Sequence, residues 1–98
     1  MNDAFEILET AELFLIDFYL PQCPPCKRLA PILKEWSDES GIPVVTVNLK
    51  EKRFDLLSDR FGVKDTPTVV AIRDREEIAR SSPVTKKDLY KLVGGGRP

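Results

Sequence analysis

With 98 residues, 42% of them hydrophobic and 32% charged, the chain is long enough for one hydrophobic core and too short for two. A formal net charge of -1 excludes a disordered polyelectrolyte and offers no basic surplus of the kind that binds nucleic acid. No apolar run approaches bilayer-spanning length, and the opening MNDAFEILET has neither a basic n-region nor an apolar h-region, so a cytoplasmic chain with no membrane partner is expected.

In residues 4–12, Phe5, Ile7 and Leu8 sit at helical spacing behind Asp3, a candidate N-cap, and predict a short helix. Residues 13–20, LFLIDFYL, form the pattern of a fully buried strand, broken only by Asp17. After the prolines of LPQCPPCK, helical spacing puts Cys26, Leu29, Ala30, Leu33 and Trp36 on one face and Lys27, Lys34, Glu35 and Asp38 on others. Trp36 at that spacing is a core residue. This helix should end near Gly41 and bend at Pro31, which has no N–H and crowds the carbonyl of Lys27.

Residues 42–49, IPVVTVNL, are β-branched and predict the next strand; residues 53–61 predict a helix stopped by Gly62. A strand over 66–73, a polar turn in RDRE and a short edge strand over 77–80 follow. The last helix starts at Thr85, an N-cap with Asp88 three residues on, and runs through Leu89, Tyr90, Leu92 and Val93; residues 94–98 should be a mobile tail. The order helix, β-α-β, helix, β-β-α predicts an α/β fold in one domain over residues 1–93. Its central mixed four-stranded sheet should carry helices on both faces.

Both cysteines lie in the CPPC stretch. A C-x-x-C pair alone fits half a zinc site, a structural bridge or a redox dithiol. The chain has no histidine and no third cysteine, so a zinc site needs two chains meeting at their loops. A structural bridge closing so short a loop removes little unfolded-chain entropy. A dithiol that cycles is the better reading, with no bound cofactor and no metal. Cys23, just before the helix, is then the attacking thiol, and Cys26, turned inward in the first turn, the resolving one. Pro24 and Pro25 remove N–H groups that would stabilise a thiolate, while Lys27 and Arg28 return positive charge; Pro24 is expected as the cap and Pro25 as the first helical residue. Asp17, six residues before Cys23, is a buried acid satisfied by backbone or by Thr46, a solvent-facing acid if its strand lies at an edge, or the acceptor of the Cys26 proton; its position favours the last.

DFYLPQCPPCK, the buried Asp17 and FGVKDTPTVV, taken together, resemble a small thioredoxin-like protein over residues 13–93, without the first strand that longer members carry. The resemblance implies a thioredoxin-like fold and a protein-disulfide oxidoreductase that takes electrons from a disulfide reductase and acts as a monomer. It further implies that Pro67 is cis and lies against the dithiol, and that Thr66 offers main-chain hydrogen bonds to an extended substrate. Gln22 and Pro24 would then face the substrate, and Pro25, Lys27 and Tyr19 would support the site. The chain departs from the family where Gln22 and Tyr19 replace tryptophans, Pro24 a glycine and Thr46 a lysine, and where a glycine is lost in the shortened SSPV segment. The same dithiol would also serve a disulfide isomerase or oxidase, and the fold alone a peptide-binding module.

Overall fold

A run of apolar residues with no polar face is stable as a strand only where neighbours pair both edges and helices cover both faces. In the computed structural model, which describes residues 4–94, that run is β1 (Leu13–Tyr19), with residues 14–18 all buried. It is an interior strand of a four-stranded sheet ordered β2-β1-β3-β4, with β2 at Val44–Asn48, β3 at Thr68–Arg73 and β4 at Glu76–Ser81. β1 pairs parallel with β2 from Leu15↔Val44 to Tyr19↔Asn48, and antiparallel with β3; β3 and β4 form an antiparallel hairpin. The mixed sheet expected from the element order is therefore present.

Among the described residues four α-helices cover it: α1 (Ala4–Thr10), α2 (Pro24–Ser40), α3 (Asp55–Phe61) and α4 (Lys86–Leu92). Alternation along β1 divides the core in two. Phe14, Ile16 and Phe18 pack with Ile7 of α1 and with Phe54, which lies in a 3-10 turn at Lys52–Phe54 ahead of α3. Leu15 faces the other way, against Leu29, Leu33 and Trp36 of α2 and Leu89 and Leu92 of α4. Trp36 is fully buried and meets Tyr90 edge-on at 5.6 Å between ring centroids. Outside this layer Lys86 of α4 bridges Glu35 (3.0 Å) and Glu39 (2.6 Å) of α2.

Several boundaries differ from the sequence expectation. β3 begins at Thr68 rather than residue 66, since Pro67 has no N–H for a ladder. β4 is longer than residues 77–80, extending to Glu76 and Ser81 by main-chain pairing that needs no apolar side chain; the register skips Ile78 as a bulge, which blunts this edge. α2 ends at Ser40 with Gly41 as its C-cap, as expected, but Ala30 is exposed because the buried stripe of α2 is narrow, only Cys26, Leu29, Leu33 and Trp36. The polar turn is a two-residue connection with positive φ at Asp74 (52°) and Arg75 (72°). Asp74 N–H donates to the Glu12 carbonyl and the Arg75 guanidinium to that of Glu9, tying the turn to the end of α1. Asp3 and residues 95–98, most of the expected tail, lie outside the described residues.

α4 has the cap its sequence predicts. Thr85 Oγ1 accepts the Asp88 N–H at 3.2 Å, and the Asp88 carboxylate accepts the N–H groups of Thr85 and Val84. Thr85→Ala should cost about 1 kcal/mol of stability, read as a lower urea midpoint with unchanged slope.

Candidate active site

Leaving β1, the chain turns at Pro21 and Gln22, closed by the Cys23 N–H donating to the Leu20 carbonyl at 3.1 Å; Pro21 supplies the fixed φ that such a turn favours at its second residue. The turn delivers Cys23 to the start of α2. Cys23, not Pro24, is the N-cap, with φ -82° and ψ 112°. Its carbonyl accepts the Lys27 N–H and its Sγ accepts the Cys26 N–H at 3.3 Å. Both prolines can then sit at the first two helical positions, where the missing N–H groups would have lacked intrahelical partners anyway. One consequence is electrostatic: of the main-chain donors at this helix start, only the Cys26 N–H is directed at the Cys23 sulfur.

Cys23 and Cys26 form a disulfide with Cα atoms 5.2 Å apart. Cys23 is half-buried, while Cys26 is 5% exposed. Gln22, Pro24, Pro25, Lys27 and Arg28 are exposed around the bridge, and Tyr19 is half-buried at the end of β1.

Asp17 reaches the same region through the sheet. It lies on the Leu15 side of β1, the side that faces α2, one pleat further toward the strand end from which α2 returns. Cys26 lies one turn before Leu29, toward the same end. The carboxyl and the inner sulfur thus lie at matching positions of two packed elements. Asp17 is 4% exposed, its Oδ1 has no hydrogen-bond partner among the described residues, and burial pushes its pKa up from 3.8 to about 7. Thr46 stands across the ladder from Asp17 but is exposed and does not satisfy that oxygen.

The Thr66-Pro67 peptide bond is cis. Pro67 is buried and Thr66 half-buried, and Thr66 makes no main-chain hydrogen bond among the described residues. Two side chains with no assigned role in the sequence hold this step: Thr68 Oγ1 donates to the Asp65 carbonyl at 2.6 Å, and Ser82 Oγ to the Pro67 carbonyl at 2.7 Å. A hydroxyl residue next to Pro83 was the available signal for the second. Among the described residues no three Asp, Glu or Cys side chains converge so as to hold a metal ion.

A disulfide of C-x-x-C spacing at a helix start, its outer cysteine half-buried and its inner one buried, defines a thiol-disulfide oxidoreductase. The family model for thioredoxin matches residues 2–94, and the chain belongs to the thioredoxin family. It is 36% identical over 94 residues to the thioredoxin of Chlamydia muridarum, covering 94% of this chain and 90% of that one. It is 29% identical over 96 residues to Protein disulfide-isomerase TMX3 of Xenopus laevis, where it covers 95% of this chain but spans only 21% of the relative. Among solved structures, Chlamydomonas reinhardtii thioredoxin f2 superposes with a TM-score of 0.79 at 27% identity, covering 99% of this chain and 94% of that one.

Proposed function

We propose that the chain reduces protein disulfides in the cytoplasm as a monomer, receiving electrons from a disulfide reductase. The Cys23 thiolate attacks one sulfur of the target, forms a mixed disulfide with it and expels the other sulfur as thiolate. Cys26 then gives its proton to the Asp17 carboxylate and attacks Cys23 Sγ. The Cys23–Cys26 disulfide forms, the second target sulfur leaves, and two electrons have passed from the dithiol to the target. With a pKa of about 7, Asp17 is partly ionised at neutral pH and is suited to accept that proton. Thr66, whose main-chain N–H and C=O have no partner among the described residues, and Pro67 form the floor on which an extended target docks. Gln22 and Pro24 border it, with Tyr19, Pro25 and Lys27 around them.

The single main-chain donor to the Cys23 sulfur among the described residues carries the direction of the reaction. A strong oxidant in this fold owes its potential to a stabilised reduced form, which means a stabilised thiolate. Here Pro24 and Pro25 remove two N–H groups from the helix start, so thiolate stabilisation is weak and the dithiol gives up its electrons readily. Equilibration with dithiothreitol and glutathione, read by alkylation and mass, should give a potential near about -270 mV or lower. A value of about -200 mV or higher would instead make the chain an isomerase or oxidase.

A further inference from the structure

The connection from β4 to α4 reaches back to the Thr66-Pro67 step. The β3·β4 ladder ends at Val69↔Ser81. Two residues further in the same register Pro67 would stand opposite Pro83, and neither ring nitrogen carries a hydrogen. Main-chain pairing therefore cannot continue past the end of the ladder to this point, and the Pro67 carbonyl needs another donor. Ser82 Oγ supplies it at 2.7 Å, from 15 residues along the chain. On the other side of the step the buried Thr68 holds the Asp65 carbonyl at 2.6 Å. Thr66 lies between these two bonds with its own main-chain groups unpaired among the described residues.

We propose that Ser82 is a positioning residue for the exchange reaction: by holding the Pro67 carbonyl, its hydroxyl fixes the direction of the Thr66 main chain and thereby the docking of an extended polypeptide disulfide beside Cys23. The inference rests on Thr66 and Pro67 being the substrate floor. It does not involve the thiols themselves, so a small disulfide that needs no floor is indifferent to Ser82.

The test compares wild type, Ser82→Ala and Ser82→Thr on insulin, with dithiothreitol recycling the dithiol, and on the small aromatic disulfide DTNB. Ser82→Ala should raise KM for insulin about fivefold, the effect of losing one hydrogen bond to a partly buried carbonyl, with kcat unchanged. Its rate with DTNB should equal that of wild type, and Ser82→Thr, which keeps the hydroxyl, should restore KM. An unaltered KM in Ser82→Ala, or an equal loss on both substrates, overturns the positioning role while leaving the dithiol chemistry standing. A wild-type protein that reacts with DTNB but not with insulin overturns the substrate floor and this inference with it.

Discussion

Cys26→Ser halts turnover and leaves the protein covalently tied to its target. The inner sulfur lies at a Cα separation of 5.2 Å from its partner and is buried, so it meets the mixed disulfide at an effective concentration no external thiol matches. Its removal should slow insulin reduction by at least about 10³-fold. A stoichiometric adduct should accumulate, visible by mass under non-reducing conditions and mapping to Cys23. Cys23→Ser should give no adduct at all, because the remaining thiol is buried. An adduct on Cys26 in that variant would reverse the roles assigned to the two cysteines.

The second large effect concerns stability and pH. In the unfolded chain Asp17 loses its proton near 3.8, but in the folded protein burial holds the proton on until about pH 7. Between those values the native state binds the extra proton, so stability falls as pH rises and levels off above the folded pKa. From pH 4 to pH 8 wild type should lose about 4 kcal/mol through this one group. Asp17→Asn removes this titration, so urea unfolding of the oxidised variant should lack the fall in stability toward pH 8 and the variant should be the more stable protein there. The same change should slow resolution of the mixed disulfide by at least about tenfold. A pH profile identical to wild type would show that Asp17 is not the buried acid, and a resolution rate identical to wild type would remove it from the proton path.

These two predictions start from residues that the sequence makes conspicuous. An ionisable group in the middle of LFLIDFYL and two cysteines around two prolines violate local pattern, and such violations stand out against a regular background. The sheet was equally legible, because β1 and β3 are apolar on both faces and only interior strands are. Sequence pattern and structure part where one residue answers to two constraints. The residue before a proline avoids the helical region, which makes Pro24 the expected cap, yet the Cys23 sulfur takes the Cys26 N–H and moves the cap back by one. Ala30 is apolar and at helical spacing but falls outside the narrow stripe that meets the sheet. Ser82 has only a slight local signal, a hydroxyl beside Pro83, since its function in the fold is a bond to a carbonyl in a different strand connection. The bridge from Lys86 to Glu35 and Glu39 was hidden in the same way, as charges scattered over two helices become neighbours only when α2 and α4 pack side by side.

Trp36 is the only tryptophan in the chain, and it sits ten residues beyond Cys26, about 15 Å along the axis of α2. Its indole is enclosed by core side chains and Tyr90, with the dithiol at the far end of the helix. Intrinsic emission from this protein should therefore be nearly blind to oxidation and reduction of the pair, because contact quenching by sulfur requires touching distance. The same signal should respond in full when the α2–α4 layer comes apart. Fluorescence thus isolates unfolding from redox chemistry, and melts of the oxidised and reduced forms can be compared on one optical scale without correcting for the state of the thiols.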